Sequence, residues 1–176
     1  MPAVDFDAHS SCDEHGAVLV VYSVNLSNGY VISDDRARLD MEFVHAALAD
    51  AYWAIGRPRA LTERSWANCL CFGLYAPDSA QAGCARVLTD YTFRAHLADL
   101  VIGQASRGNG LGKSLVETIL LHPELVSVSQ WTLATADAQA LYYRYGFRTC
   151  SADSAWMTLV RTPPAVIADL LSNSNA

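Results

Sequence analysis

Between residues 95 and 121 the chain reads as a strand, a glycine-rich turn and a helix, and few folds tolerate that order with these residues. AHLADLVI (95–102) has strand length and composition. SRGNGLGKSL (106–115) follows, and from Gly110 onward Leu111, Leu115, Val116, Ile119 and Leu120 recur at the spacing of one helical face until His122-Pro123 ends the run. A helix that begins this way presents its unpaired N–H groups and the positive end of its dipole to whatever lies beyond the strand. That combination binds anions, and phosphates above all.

Three phosphate-binding devices share these letters. A nucleoside-triphosphate loop needs GxxxxGK[ST]; Gly112-Lys113-Ser114 fits its end, but Arg107 stands where its first glycine belongs, and no acidic strand end downstream offers a magnesium ligand. A dinucleotide fingerprint needs GxGxxG after the first strand of a βαβ unit, whereas Gly108, Gly110 and Gly112 are spaced GxGxG after a series of hairpins. The third device is a turn led by Arg-Gly whose helix N-terminus holds a pyrophosphate, with Arg107 adding a cation and the glycines allowing close approach. Taken alone, the run is either such a seat or a glycine-rich turn before an ordinary helix.

The rest of the chain reads as one α+β domain with a mixed sheet. A polar N-terminal arm (1–16) precedes two strand-like pieces, AVLVVYSV and GYVIS, joined by Asn28-Gly29. Ser33 and Asp34 are expected to cap a helix running to about Asp50, with Leu39, Phe43, Ala46 and Ala47 on its apolar stripe. A short helix is expected over 59–67 after Pro58. CLCFGLY (69–75), GCARVLTD (83–90) and 95–102 read as an antiparallel meander. After the glycine-rich helix come a strand (131–135), a helix (136–145) closed by Gly146, a final strand pair near 147–150 and 156–161, and a tail (162–176).

At 176 residues with 52% apolar content the chain can bury one substantial core, and its longest apolar run, AVLVVY, is strand length. The net charge of −6 and the lack of any basic cluster argue against a nucleic-acid partner, and nothing spans or anchors to a membrane. An acidic body would tolerate cationic amines as substrates. The acidic N-terminus is unlike an export signal, which leaves the cytoplasm as the expected location. Five cysteines, odd in number and without a CxxC pair, read as reduced thiols. His9, Cys12 and His15 have metal-like spacing, but three ligands in a polar arm make an incomplete set, and no metal is expected.

A second segment narrows the choice of ligand. AQALYYRYGFR (138–148), together with DLVIGQASRGNGLGKSLVETIL (99–120), resembles the GNAT superfamily of acyl-CoA-dependent N-acetyltransferases, in which an Arg/Gln-x-x-Gly-x-Gly/Ala loop opens a pyrophosphate-binding helix and a later "ALY…GF" helix carries a tyrosine. The resemblance extends from about 29 to 156, and AYWAIGRPRALTERSWANCLCFGLY and GCARVLTDYTFRAHLADL look like a recurrent subgroup of small members. It implies a GNAT-like α+β fold: a central mixed, mostly antiparallel sheet of six to seven strands, flanking helices and a splayed acyl-CoA cleft. It also implies transfer of the acetyl group of acetyl-CoA, without a metal, to a primary amine on a small molecule or peptide by direct attack in a ternary complex. A non-catalytic acyl-CoA-binding or sensing module of the same fold is the alternative. Many members pair as homodimers. Gln104, where a proline is common, and Asp137, where an asparagine often stands, depart from the pattern.

Carried over residue by residue, the resemblance places the CoA arm along Leu100, Val101 and Ile102, with the Ile102 N–H as oxyanion donor. The pyrophosphate falls on Arg107, Gly108, Asn109, Gly110, Leu111, Gly112, Lys113 and Ser114. Tyr142 is the candidate general acid, with packing as its alternative role and Tyr143 and Tyr145 as weaker candidates. Asp99 is the candidate general base, set against a structural carboxylate, with His96 and Asp90 behind it. The acceptor pocket is expected around Tyr52, Trp53, Asp90, Tyr91 and His96.

Overall fold

Short turns between strand-length segments can only produce neighbouring antiparallel strands, and the chain obeys this until its glycine run. The structure, a computed structural model, describes residues 5–12 and 18–150. Its strands are β1 (Asp5–Cys12), β2 (Val18–Asn25), β3 (Val31–Ser33), β4 (Leu70–Tyr75), β5 (Gln81–Thr89), β6 (Arg94–Ile102) and β7 (Gln130–Leu133). Its helices are α1 (Met41–Ala49), α2 (Arg59–Ala67), α3 (Leu111–Leu120) and α4 (Gln139–Tyr143). The strands form one seven-stranded sheet in sequential order. Every neighbouring pair is antiparallel except β6 and β7, whose parallel pairing is made by the crossover through α3.

Helices cover both faces. On one, Val44 and Leu48 of α1 and Trp66 of α2 pack with Cys71, Cys84 and Val101 of the sheet. On the other, Leu111, Leu115, Val116 and Ile119 of α3 and Tyr142 of α4 pack against Phe72, Leu74, Val87 and Leu97.

The alternation of β6 is broken once. Arg86 of β5 faces Ala98 and Cys84 faces Val101, so Ala85 alone stands opposite both Asp99 and Leu100. This is a β-bulge, with Asp99 in the left-handed region at φ 49°. It inverts the strand's facing. Ala95 and Leu97 point to the α3 side before it, whereas Leu100 and Ile102 do so after it and Val101 turns to α1.

Several expectations change. The N-terminal arm contains β1, paired along its whole length with β2; main-chain pairing is indifferent to the polar side chains that made the segment read as an arm. Asp34 caps no helix, because its carboxylate accepts from the Tyr22 N–H at 2.7 Å and pairs with His122 Nε2 at 3.0 Å. Asp35 caps a 3₁₀ turn (Arg36–Arg38), and Asp40 caps α1 by accepting from Glu42 N at 2.9 Å and Phe43 N at 3.3 Å. With the helix starting later, Val44 and Leu48 are its buried residues, Leu39 precedes it and Ala46 is exposed. Asp40→Ala is expected to destabilise the fold by about 1 kcal/mol, read as a lowered midpoint in urea. α4 is shorter than expected, ending in the turn where Gly146 adopts φ 88°. Residues 147–150 form no strand, and 156–161 lie outside the described residues.

Candidate active site

β6 and β7 pair only from Arg94↔Gln130 to Leu97↔Leu133. Beyond that point β6 continues to Ile102 against β5, while the chain after Leu133 leaves the sheet toward α4. One edge of β6 is therefore open. The register shows which groups face it: Gly103 N donates to Ala82 O at 2.8 Å, so the intervening Gly83↔Ile102 pair is a non-bonded one whose N–H and C=O groups turn away from each other. Ile102 O accordingly accepts from Arg107 Nε at 2.9 Å on the open side. By the same alternation Leu100 directs its N–H and C=O to that edge. A trench of about 300 Å³ runs along it, lined by Leu100, Val101, Ile102 and Arg107 on one side and Tyr52, Trp53 and Asp137 on the other.

The trench leads to the N-terminus of α3. Gly110 is its N-cap at φ 76°, and Gly108 lies at φ 83°. A Cβ at either position would meet nothing within 4 Å, so these glycines are required for their backbone angles and not for room. Lys113 N and Ser114 N both bond to Gly110 O, which leaves the N–H groups of Leu111 and Gly112 ahead of the first intrahelical bond. Main-chain N–H groups, a helix dipole and the exposed Arg107 form a donor set suited to a pyrophosphate, and the open β6 edge suits an extended chain bearing amides. These residues fit the CoA moiety. Gly110→Ala forces a side chain into a left-handed angle at a strain of about 1–2 kcal/mol, and CoA affinity measured by calorimetry is expected to fall about tenfold.

Deeper in, a cavity of about 340 Å³ joins the trench at Leu100 and Tyr52 and is lined by Tyr142, Asp99, Arg57, Arg86, His96 and Asp137. Tyr142 is 8% exposed and packs edge-on against Phe147 at 5.8 Å, and its hydroxyl makes no hydrogen bond to the described residues. Burial raises its pKa above the ordinary phenol value, with the Asp137 carboxylate and Tyr52 adding to the rise. It therefore stays protonated. The neighbouring tyrosines are engaged: Tyr143 bonds Thr149 Oγ1 at 2.9 Å, and Tyr145 donates to Lys113 O at 3.0 Å.

Asp99 is a clasped anion. Its Oδ2 accepts from Arg57 Nη1 and Arg86 Nε, each at 2.7 Å, and its Oδ1 accepts from Trp53 Nε1 at 3.2 Å. Burial acts to raise its pKa, but the two guanidiniums outweigh it and hold the carboxyl below its usual value. A carboxylate held this way is a weak proton acceptor. His96 lines the same cavity with Nδ1 2.8 Å from Thr132 Oγ1; burial, then Arg86, lower its pKa and keep it neutral. Tyr52 reaches across the trench, its hydroxyl accepting from Ala136 N at 2.7 Å, and stands edge-on to Trp53 at 4.9 Å.

Asp90 and Tyr91 are not brought to the cavity. They form the turn between β5 and β6, where Asp90 Oδ1 accepts from the N–H groups of Thr92, Phe93 and Arg94 at 2.8–3.0 Å and Tyr91 is exposed at φ 60°. A hairpin's tip lies at one end of its strands and the open edge of β6 at the other. Conversely, the residues that sequence reasoning left out of the site are Arg57, Arg86 and, as a working group, Asp137. Arg86 carried a signal, since a charge inside the apolar strand GCARVL needs a buried partner. Two strand thiols are held protonated: burial pushes Cys71 up to about 12, and Cys84 rises for the same reason. Among the described residues no three His, Cys, Asp or Glu side chains gather as a metal site, and His15 lies outside them.

The comparisons agree with this geometry. The family model described as an acetyltransferase (GNAT) domain matches residues 68–149. A crystal structure from Xanthomonas campestris pv. campestris, assigned to the GNAT acetyltransferases, is 36% identical over 78% of this chain and 95% of its own, with a TM-score of 0.70. A Staphylococcus aureus structure (23% identity, 69% of this chain and 94% of its own, TM-score 0.57) and Arabidopsis thaliana glucosamine-6-phosphate N-acetyltransferase (16%, 68% and 94%, TM-score 0.50) share the fold. No curated protein matches the chain in sequence. No helix among the described residues is long and apolar enough to cross a membrane. A sheet that opens beside a glycine-capped helix, and a relative sharing more than a third of its residues over nearly its full length, give one conclusion: the chain belongs to the GNAT family of acetyltransferases.

Proposed function

We propose that the chain transfers the acetyl group of acetyl-CoA directly to a primary amine within a ternary complex. The reading is supported by the open β6 edge, by the glycine-capped start of α3 beyond Arg107, and by a Tyr142 hydroxyl without a hydrogen bond among the described residues in a cavity that shares Tyr52, Trp53, Leu100 and Asp137 with the trench. In this reading acetyl-CoA supplies a thioester, its pantetheine arm lies along Leu100, Val101 and Ile102, and its pyrophosphate rests on residues 107–114.

The chain's own groups then divide the work. The oxyanion donor is assigned to the N–H of Leu100 and not to that of Ile102, because Leu100 lines the cavity that holds Tyr142 while Ile102 lies farther along, beside Arg107. The neutral amine forms its bond to the acetyl carbon as the carbon–sulfur bond breaks. Tyr142 gives its phenolic proton to the departing sulfur and is reprotonated from solvent. The amine's surplus proton leaves to water or to the exposed carboxylate of Asp137. Asp99, already clasped by Arg57 and Arg86, keeps its charge throughout and positions those two side chains. We also take the cytoplasm as the working location.

Release of free CoA from acetyl-CoA across a panel of amines tests the reading, with turnover expected on at least one class. A thermal shift with CoA and none with ATP is expected beside it. CoA binding with no turnover on any amine would leave a binding module and sink the enzymatic assignment.

A further inference from the structure

We propose that the acceptor is a small zwitterion, an amine bearing a carboxylate, held with its carboxylate against Arg57 and Arg86 and its nitrogen toward Asp137 and Tyr142. The inference rests on the acetyl-transfer reading above and names the substrate class for the same cavity.

Charge is divided within the cavity: Arg57 and Arg86 share Asp99, while Asp137 also lines the CoA trench. The molecule carries −6, which by itself favours a cationic acceptor. The end of the cavity at the β6 bulge holds two guanidiniums and one carboxylate. Asp99 already accepts three hydrogen bonds and can balance only one of the two positive charges. A guanidinium has five N–H donors. Of these, the described residues engage Nη1 of Arg57, and Nε and Nη1 of Arg86, the last against Cys69 Sγ at 3.4 Å. The side chains are 26% and 12% exposed, and among the described residues neither contributes a buried polar atom that lacks a hydrogen-bond partner. Their spare donors are therefore within reach of solvent, and both residues line the cavity. Two half-buried cations on one anion leave a surplus of one positive charge, and a ligand carboxylate neutralises it with the forked geometry guanidinium favours. A phosphate monoester brings about −1.5 to −2 and overshoots.

The same lining also carries a carboxylate that neither guanidinium engages among the described residues. Asp137 is exposed, lines both the cavity and the CoA trench, and lies close enough to Tyr142 to raise its pKa. His96 on the same wall is neutral, and the Tyr52 hydroxyl is taken up by the Ala136 N–H. A cation-rich end and a carboxylate beside the proton donor suit one molecule carrying both charges. The volume of about 340 Å³ lies at the small end of ligand pockets, the scale of a metabolite and not of a protein segment.

The test is a matched series given to the intact protein: the standard amino acids with β-alanine and 4-aminobutyrate, the corresponding C-terminal amides, the decarboxylated amines, and aminophosphonates. CoA release gives kcat/KM, and calorimetry on protein saturated with CoA gives binding independently of turnover. The best carboxylate is expected to exceed its amide and its decarboxylated amine by about 100-fold in kcat/KM. Arg57→Gln is expected to raise KM for that carboxylate at least tenfold with kcat little changed, to narrow its lead over the amide, and to leave KM for acetyl-CoA alone. Arg57→Lys should recover part of the loss. Amides or simple amines used as well as the acids would overturn the proposal while acetyl transfer stood, and so would preference for the phosphonates. If no amine turns over yet carboxylates bind the CoA complex selectively, the zwitterion site stands and the catalytic reading fails. Absence of any carboxylate preference in binding overturns the site.

Discussion

Replacing Tyr142 by Phe is expected to lower kcat by about 10²- to 10³-fold while CoA affinity, read by calorimetry, stays within about twofold. The ring packs between the sheet and Phe147, and Phe keeps that packing, so the variant removes only the hydroxyl. That hydroxyl has no hydrogen-bond partner among the described residues, and its loss strands no donor there. The pH profile provides a second readout. With its pKa raised above that of a free phenol, Tyr142 remains a donor throughout the neutral range and fails only in strongly alkaline solution, so any alkaline decline of kcat that belongs to it should vanish in Tyr142→Phe. A Tyr142→Phe protein as active as the wild type would remove the hydroxyl from the mechanism.

The largest stability effect is expected at Asp99. Its side chain is 2% exposed and faces two guanidiniums, so Asp99→Ala leaves both cations unpaired beside the sheet. Breaking a buried pair from one side costs about 3–5 kcal/mol, and for a chain of this size that lowers Tm by about 10 °C. The left-handed backbone angle adds a smaller loss, because Asp and Asn tolerate it and Ala does not. Asp99→Asn keeps the angle and part of the hydrogen bonding, and should lie between the two. The folded carboxyl has the lower pKa, so its contribution is complete above the unfolded value of about 3.9 and is lost as pH falls through the folded value. Urea midpoints followed from neutral to acid pH should converge for wild type and Asp99→Asn. Curves that stay parallel would mean that the charge at Asp99 does not stabilise the fold.

Much of this architecture is legible in the letters, where the deciding forces are local. The 59–67 helix and the β4–β6 meander follow from punctuation by Pro58 and the turn segments, and α3 follows from its apolar spacing. Asp34 misleads because the group that claims it, His122, lies 88 residues away in sequence. β1 misleads because polar side chains carry no sign of a neighbouring strand. In the site, the glycine run and Tyr142 stand out through motif order. The Asp99 clasp does not, since Arg86 and Asp99 meet only by virtue of a register shift that no local pattern announces. Asp90 and Tyr91 belong to a strand-end loop, the kind of segment the family resemblance sets around an acceptor, but this loop is the tip of the β5–β6 hairpin and does not line the cavity.

The bulge in β6 sets the terms on which this strand tolerates change. Deleting a single residue between Ala98 and Val101 would restore unbroken alternation and a tidier ladder against β5. The same deletion would leave Ile102 opposite Gly83, but the single residue then facing Ala85 would point to the α3 side, and no carboxylate would reach Arg86 and Arg57. The extra residue thus serves the cavity and not the sheet: the ladder would be more regular without it, and the two guanidiniums would lose the carboxylate that holds them.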